Sequence, residues 1–223
     1  GKAMIQLPRP KSGSVRFAGK DLARVKGGEL RRLRTELQLI FQDPISSLNP
    51  RRKVRDILAE PLRIWKRGTK DDHEATARRL LDTVGLDPDL ALDRRPHQFS
   101  GGQCQRLSIA RALVLEPKLI ICDEPVSALD VSVQAQILNL LADLQDEFGL
   151  TYVFISHDLS VVRYIADDVM VMYFGEVVEY GSRDTVFADP QHSYTRTLFA
   201  ATPRADVESI RARLAGKAAV ATA

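Results

Sequence analysis

The segment Leu119-Ile120-Ile121-Cys122-Asp123-Glu124 constrains this chain more than any other, because four apolar residues run straight into two acids. A short run that is apolar throughout fits a strand covered on both faces, not one with a solvent side. The strand, read as Lys118–Cys122, is followed by a helical stretch. Asp130 caps its start, Ile137, Leu140, Leu141, Leu144 and Phe148 form one apolar stripe, and Gly149 supplies the stop. A second apolar run, Thr151–Ile155, comes next, and strand–helix–strand at this spacing is the unit of a parallel α/β sheet. Two further runs, Val169–Tyr173 and Glu176–Glu179, read as strands of the same buried kind. Ligands of open parallel sheets bind at the carboxyl ends of the strands. There Asp123 can hold Mg²⁺ and Glu124 can polarise a water for attack on a phosphoryl group. An acid pair after a strand fits a surface turn equally well when nothing else accompanies it.

Something does accompany it. Ser100-Gly101-Gly102-Gln103 opens a helical pattern through Leu107, Ile109, Ala110, Ala112 and Leu113, and Gln103 lies 20 residues before Asp123. Small residues and a hydroxyl at a helix start leave free backbone N–H groups and the positive end of the helix dipole, an anion site. The region from about Pro44 to Pro96 has no convincing strand. Thr69-Lys70-Asp71-Asp72 starts a helix carrying Ala77, Leu80, Leu81 and Val84, closed by Gly85, so this region reads as an inserted helical lobe. Asp43–Arg51 is rich in Pro, Ser and Asn and is expected to be a loop, in which Ile45 and Leu48 either couple Gln42 to the lobe or merely pack it. Two short helical patterns close the chain, Tyr194–Ala200 and Asp206–Leu214, before an Ala-rich end, Ala215–Ala223, with no evident packing face.

Phe99-Ser100-Gly101-Gly102-Gln103 resembles the signature motif of ABC transporters, and Leu119–Glu124 resembles their Walker B strand with its catalytic glutamate. Ser127-Ala128-Leu129-Asp130 is similar to the D-loop and Ile155-Ser156-His157-Asp158 to the switch-histidine loop. Leu37-Gln38-Leu39-Ile40-Phe41-Gln42-Asp43-Pro44 resembles the Q-loop. The motifs fall in the family's order over residues 37–158, and the resemblance covers essentially the whole chain. Asp43–Arg51, Cys122–Gln134 and the stretch from Val186 to Thr195 are similar to the oligopeptide, dipeptide and nickel importers.

The resemblance implies an α/β P-loop ATPase core with an inserted helical subdomain and a short C-terminal helical extension. The expected divisions are 1–43 and 99–182 for the core, 44–98 for the helical subdomain and 183–223 for the extension. It implies ATP as the nucleotide and Mg²⁺ held by Asp123 with Gln42. Glu124 would activate the attacking water, His157 would contact the γ-phosphate, and Gln42 would sense it. Ser100, Gly101, Gly102, Gln103 and Asp130 would face nucleotide across a dimer of two such subunits, identical or paralogous. Permease subunits, and through them a solute-binding protein, complete the expected assembly at the cytoplasmic face of the membrane. Cys104 departs from the family, which has a polar or basic residue there, and is expected to be a tolerated helix substitution.

The phosphate loop is the largest departure. A P-loop reads G-x-x-x-x-G-K-[ST], with backbone amides around the phosphates and the hydroxyl on Mg²⁺. Gly1-Lys2 is followed here by Ala3-Met4-Ile5, and the expected helix is short by roughly two turns. Two readings stand: Lys2 is the end of a true P-loop whose neighbours are absent from this sequence, or Gly1-Lys2 is an unrelated remnant. On either, the chain alone is expected to bind ATP poorly, and the natural protein is expected to carry the complete motif, with the adenine-stacking aromatic, upstream of Met4.

Bulk properties set the remaining exclusions. A net charge of +3 with one Trp and no basic run interleaved with aromatics gives no argument for nucleic acid. No apolar run is long enough to span a bilayer, so membrane association is expected through a partner. Cys104 and Cys122 make neither a disulfide framework nor a metal site, and read as small, partly buried thiols in a reducing compartment. His73, His97 and His192 read as surface or packing residues. A chromosome- or repair-type ATPase would place a long coiled coil between Q-loop and signature. Only 57 residues separate Gln42 from Ser100, and they contain no heptads. The presence of Glu124 and His157 argues against a catalytically dead structural subunit for the parent protein, but not for this stretch by itself.

Overall fold

Three parallel strands, β3 (Leu37–Ile40), β4 (Leu119–Asp123) and β5 (Thr151–Ile155), lie side by side in that order. Leu37 is opposite Leu119, and Leu119 is opposite Thr151. The computed structural model describes residues 1–201, so the expected helix Asp206–Leu214 and the Ala-rich end fall outside the described residues. The chain divides into two compact units, Gly1–His157 and one beginning at Asp158.

In the first unit, residues 1–8 form turns without a helix. The Arg34 guanidinium donates to the carbonyls of Ile5 and Gln6, both at 2.9 Å, and fixes this stretch. A small antiparallel hairpin, β1 (Arg16–Phe17) and β2 (Lys20–Asp21), leads to α1 (Gly27–Leu33). Ile5, Leu22, Leu30, Leu33, Leu37 and Ile121 form one buried cluster behind the sheet. Four helices follow β3: α2 (Pro44–Ser47), α3 (Val54–Ile64), α4 (Lys70–Thr83) and α5 (Pro88–Ala91), then a 3₁₀ turn at Pro96–Gln98. The Thr69 capping box forms as the sequence suggests, and Gly85 turns the chain at φ 72°. Helices α6 (Gly101–Leu113) and α7 (Val131–Phe148) flank β4 in sequence. Gly149 ends α7 in the left-handed region, at φ 61°. Phe148 is only half-buried, and Leu138 joins the buried stripe in its place.

The second unit holds α8 (Leu159–Ile165), β6 (Asp168–Tyr173), β7 (Glu176–Ser182), α9 (Arg183–Ala188) and α10 (Ser193–Ala201). Here one sequence expectation fails. Strands β6 and β7 are not members of a sheet covered on both faces; they form an antiparallel hairpin, with Val169 and Val171 buried and Met170 and Met172 exposed. The two-residue loop Phe174-Gly175 has both residues at positive φ, 46° and 86°, the twist that suits a tight hairpin. In β6 the inward and outward residues from Val169 to Tyr173 are all apolar, so that run carries no polar alternation to reveal its solvent face. Asp43–Arg51 is also not wholly a loop. Asp43 caps α2 by accepting from the N–H of Ile45 and Ser46, and Pro44 at the first helical position is already set for a helix.

Candidate functional site

Glu124 follows the last residue of β4, and its backbone sits at φ 50°, in the left-handed region that a non-glycine residue seldom occupies. Three bonds hold it there. Its N–H donates to the Ile155 carbonyl at 2.9 Å, and its own carbonyl accepts from the Ser127 N–H at 3.3 Å and hydroxyl at 3.1 Å. Strain of this kind persists where the surroundings over-determine it, and it concentrates at functional sites. The side chain is then held from two sides. Gln42 Nε2 donates to Glu124 Oε2 at 2.8 Å, and His157 Nδ1 lies 3.1 Å from Oε1. Residues 42, 124 and 157 thus meet at the carboxyl ends of β3, β4 and β5, because the parallel register brings those three ends level.

Asp123 ends β4 beside the chain's first residues. A Cβ on Gly1 would lie 3.2 Å from Asp123 Oδ2, and Lys2 Nζ sits 5.8 Å from the centre of the Phe41 ring. Gly1 and Lys2 therefore lie at the same sheet edge as Asp123 and Glu124. No phosphate-cradling loop is built by residues 1–8, and Ala3 stands where a Ser or Thr would follow the lysine.

Ser100 and Gln103 cap α6 reciprocally. Ser100 Oγ accepts the Gln103 N–H at 3.3 Å, and Gln103 Oε1 accepts the Ser100 N–H at 3.0 Å. Gly101 and Gly102 occupy the first turn between them. Asp130 caps α7 through Oδ1, which accepts the Ser132 hydroxyl at 2.7 Å and the Val133 N–H at 3.0 Å. The Ser132 hydroxyl, and after it the Val133 amide, holds this carboxyl below the usual range. These capping bonds stay within the starts of α6 and α7 and do not reach Gln42, Glu124 or His157.

Arg111 is a site-supporting residue that the motifs do not reveal. It lies on the buried side of α6 and donates to the Ser47 carbonyl, while Ser47 Oγ and Ser108 Oγ are 3.2 Å apart. These bonds tie the turn after Gln42 to the helix that Ser100 opens. Burial pulls the Arg111 guanidinium down from its usual value. A lone cation among Ile109, Ala110, Ala112 and Leu113 was the available signal. The two cysteines are fully buried, not partly so. Burial pushes the Cys122 thiol far up, and burial with the charge of Asp43 raises Cys104, whose Sγ donates to the Pro96 carbonyl at 3.4 Å.

A family model described as "ABC transporter" matches residues 1–127. The chain belongs to the ABC transporter family. A second model, "Oligopeptide/dipeptide transporter, C-terminal region", matches residues 178–222. The chain is 52% identical over 206 residues to the oligopeptide transport ATP-binding protein OppF of Salmonella typhimurium, across 92% of this chain and 61% of that protein. It is 51% identical to OppF of Streptococcus mutans, across 96% of this chain and 70% of that protein. The chain thus spans 61% of the length of the Salmonella relative. Among solved structures it resembles cbiO1 of Clostridium perfringens, described as part of the ABC transporter complex cbiONQ, with TM-score 0.74 and 28% identity over 91% of this chain and 78% of that one. It also resembles the ATP-binding cassette MJ0796 in a dimeric post-hydrolysis state with ADP and Pi, with TM-score 0.72 and 29% identity over 82% and 78%. The fold is the α/β fold of ABC ATPases, as the sequence resemblance implies.

Proposed function

We propose that this chain is part of an ATP-hydrolysing subunit that energises import of peptides or a similar small solute, working as one half of a dimer. The observation that carries the reading is the strained Glu124, held between Gln42 and His157 at the end of a buried parallel strand. A carboxylate fixed there accepts the proton of a water attacking a phosphoryl group, while Gln42 and His157 keep it oriented. The donor set suits Mg²⁺. Asp123 brings a hard oxygen to the strand end, and Gln42 keeps its carbonyl oxygen available while its amide nitrogen is on Glu124. When bound, that ion neutralises charge on the phosphates. The phosphate cradle itself is not contained in residues 1–8. Lys2 lies at the right edge for one, which supports reading it as the end of a true phosphate loop.

Ser100, Gly101, Gly102, Gln103 and Asp130 face the partner subunit's nucleotide in this reading. Residues 44–98, which hold helices and no strand, form the lobe that meets the permease at the cytoplasmic face of the membrane, between core segments 1–43 and 99–182 and ahead of an extension, 183–223. Among the described residues no helix is long and apolar enough to cross a membrane, which suits a subunit attached through partners.

In the full-length dimer, Glu124→Gln should lower turnover by about 10²–10⁴-fold with ATP binding kept, since the amide cannot take the water's proton. Steady-state hydrolysis with a nucleotide titration decides, and near-normal turnover reassigns the base. The turn after Gln42 also separates two residues that the sequence grouped. Leu48 is 1% exposed and packs the lobe, whereas Ile45 is 55% exposed. Ile45→Arg should uncouple transport while hydrolysis continues, whereas Leu48→Arg should unfold the lobe. Solute uptake and thermal melting of the reconstituted transporter distinguish these outcomes.

A further inference from the structure

Gly102 has no room for a side chain. A Cβ built on it stands 2.6 Å from Cγ1 of Val133, whereas one on Gly101 meets Leu129 Cδ2 at an ordinary 3.6 Å. Val133 cannot swing aside easily. It is β-branched in the first turn of α7, where one χ1 rotamer dominates, and its N–H is tied to Asp130 Oδ1 at 3.0 Å. The turn beneath it is braced as well, since Gln134 Nε2 donates to the Leu129 carbonyl at 3.0 Å. A turn further along, Arg106 of α6 donates to Gln136 Oε1 of α7 at 3.4 Å. The starts of α6 and α7 are therefore packed backbone against methyl group.

We infer that Val133 is a positioning residue: its Cγ1 seats on Gly102 and sets the spacing between the Ser100-Gly101-Gly102-Gln103 turn and the Asp130 turn. The demand for glycine at 102 then comes from within the chain. This inference rests on the proposed nucleotide-facing role of those two turns, and it assigns a task to the Val131–Gln134 stretch. Displacing Val133 moves Ser100 and the amides of α6 away from wherever a partner's nucleotide meets them.

A double-mutant cycle tests it. In this chain, Gly102→Ala should lower the melting temperature by about 5 °C through overpacking. In a Val133→Ala background the same substitution should be neutral or raise it, because alanine is the better helix former once the methyl group is gone. Equal losses in both backgrounds overturn the inference. In the full-length dimer, Gly102→Ala should cut kcat by about 100-fold, the scale of a small misplacement, with KM for ATP little changed. Val133→Ala alone, at a residue outside the nucleotide-facing set, should lower kcat by about 10-fold with KM for ATP little changed, because Gly102 loses its seat. An unchanged kcat in that variant would overturn the positioning role. A wild-type dimer that hydrolyses no ATP sinks the functional reading instead, and leaves the melting cycle standing.

Discussion

Strands β4 and β6 are written in similar residues and end in similar strain, but the molecule uses them differently. In β4, Ile120, Ile121 and Cys122 are all 0% exposed. In β6, Val169 and Val171 are 7% exposed, while Met170 and Met172 are 56% and 55% exposed. Each strand is followed by a non-glycine residue in the left-handed region, Glu124 at φ 50° and Phe174 at φ 46°. At Phe174 the strain closes a two-residue hairpin, which Gly175 shares. At Glu124 no hairpin is made; the backbone is bent so that a carboxylate reaches Gln42 and His157. Apolar sequence makes a strand, and what lies on its two faces decides whether that strand is core or surface.

The largest test of this contrast is truncation. Ile121→Ala should cost about 2–5 kcal/mol, since the methyl groups it removes are surrounded by core. Met172→Ala should cost less than about 0.5 kcal/mol, as expected for an exposed position. Chemical denaturation of this chain measures both, and a loss at Met172 approaching that at Ile121 would mean that the outer face of β6 is covered in solution. A smaller effect separates the two kinds of strain. Glu124→Gly and Phe174→Gly should each relieve backbone strain and stabilise by about 1 kcal/mol. Only Glu124→Gly should also abolish hydrolysis in the full-length dimer. Stabilisation at Phe174 with destabilisation at Glu124 would show that the bonds to Gln42 and His157 outweigh the strain.

The smallest expected effect is on pH. Asp130 has its carboxyl pKa held below the usual value by Ser132 and Val133, so the folded state prefers the charged form. That stabilisation is fully present above the unfolded pKa of about 3.9 and is lost as pH falls through the lower folded value. Asp130→Asn keeps an oxygen acceptor for the cap but removes the titration. Melting curves from pH 6 down to about pH 2 should therefore fall less steeply below about pH 4 in the variant than in the parent. Identical slopes would mean that the cap does not depend on charge.

Local chemistry by itself determines much of the candidate site. The Thr69 capping box, the Asp130 cap and the Gly149 stop are decided by residues within a few positions of one another, and they form where the sequence puts them. Three of the residues that the family resemblance singled out, Gln42, Glu124 and His157, meet at the sheet edge because parallel strands deliver their carboxyl ends to one side, whereas Ser100–Gln103 and Asp130 cap helices apart from them. Long-range packing decided the rest. The hairpin nature of β6 and β7, the separation of Ile45 from Leu48, the Arg111 tie to Ser47 and the methyl group of Val133 over Gly102 all depend on partners distant in sequence or on which face is covered. A hydrophobic run records only that burial is favourable, and a glycine only that a side chain is missing. Which neighbour covers the run, and which one forbids the side chain, is fixed when the elements pack.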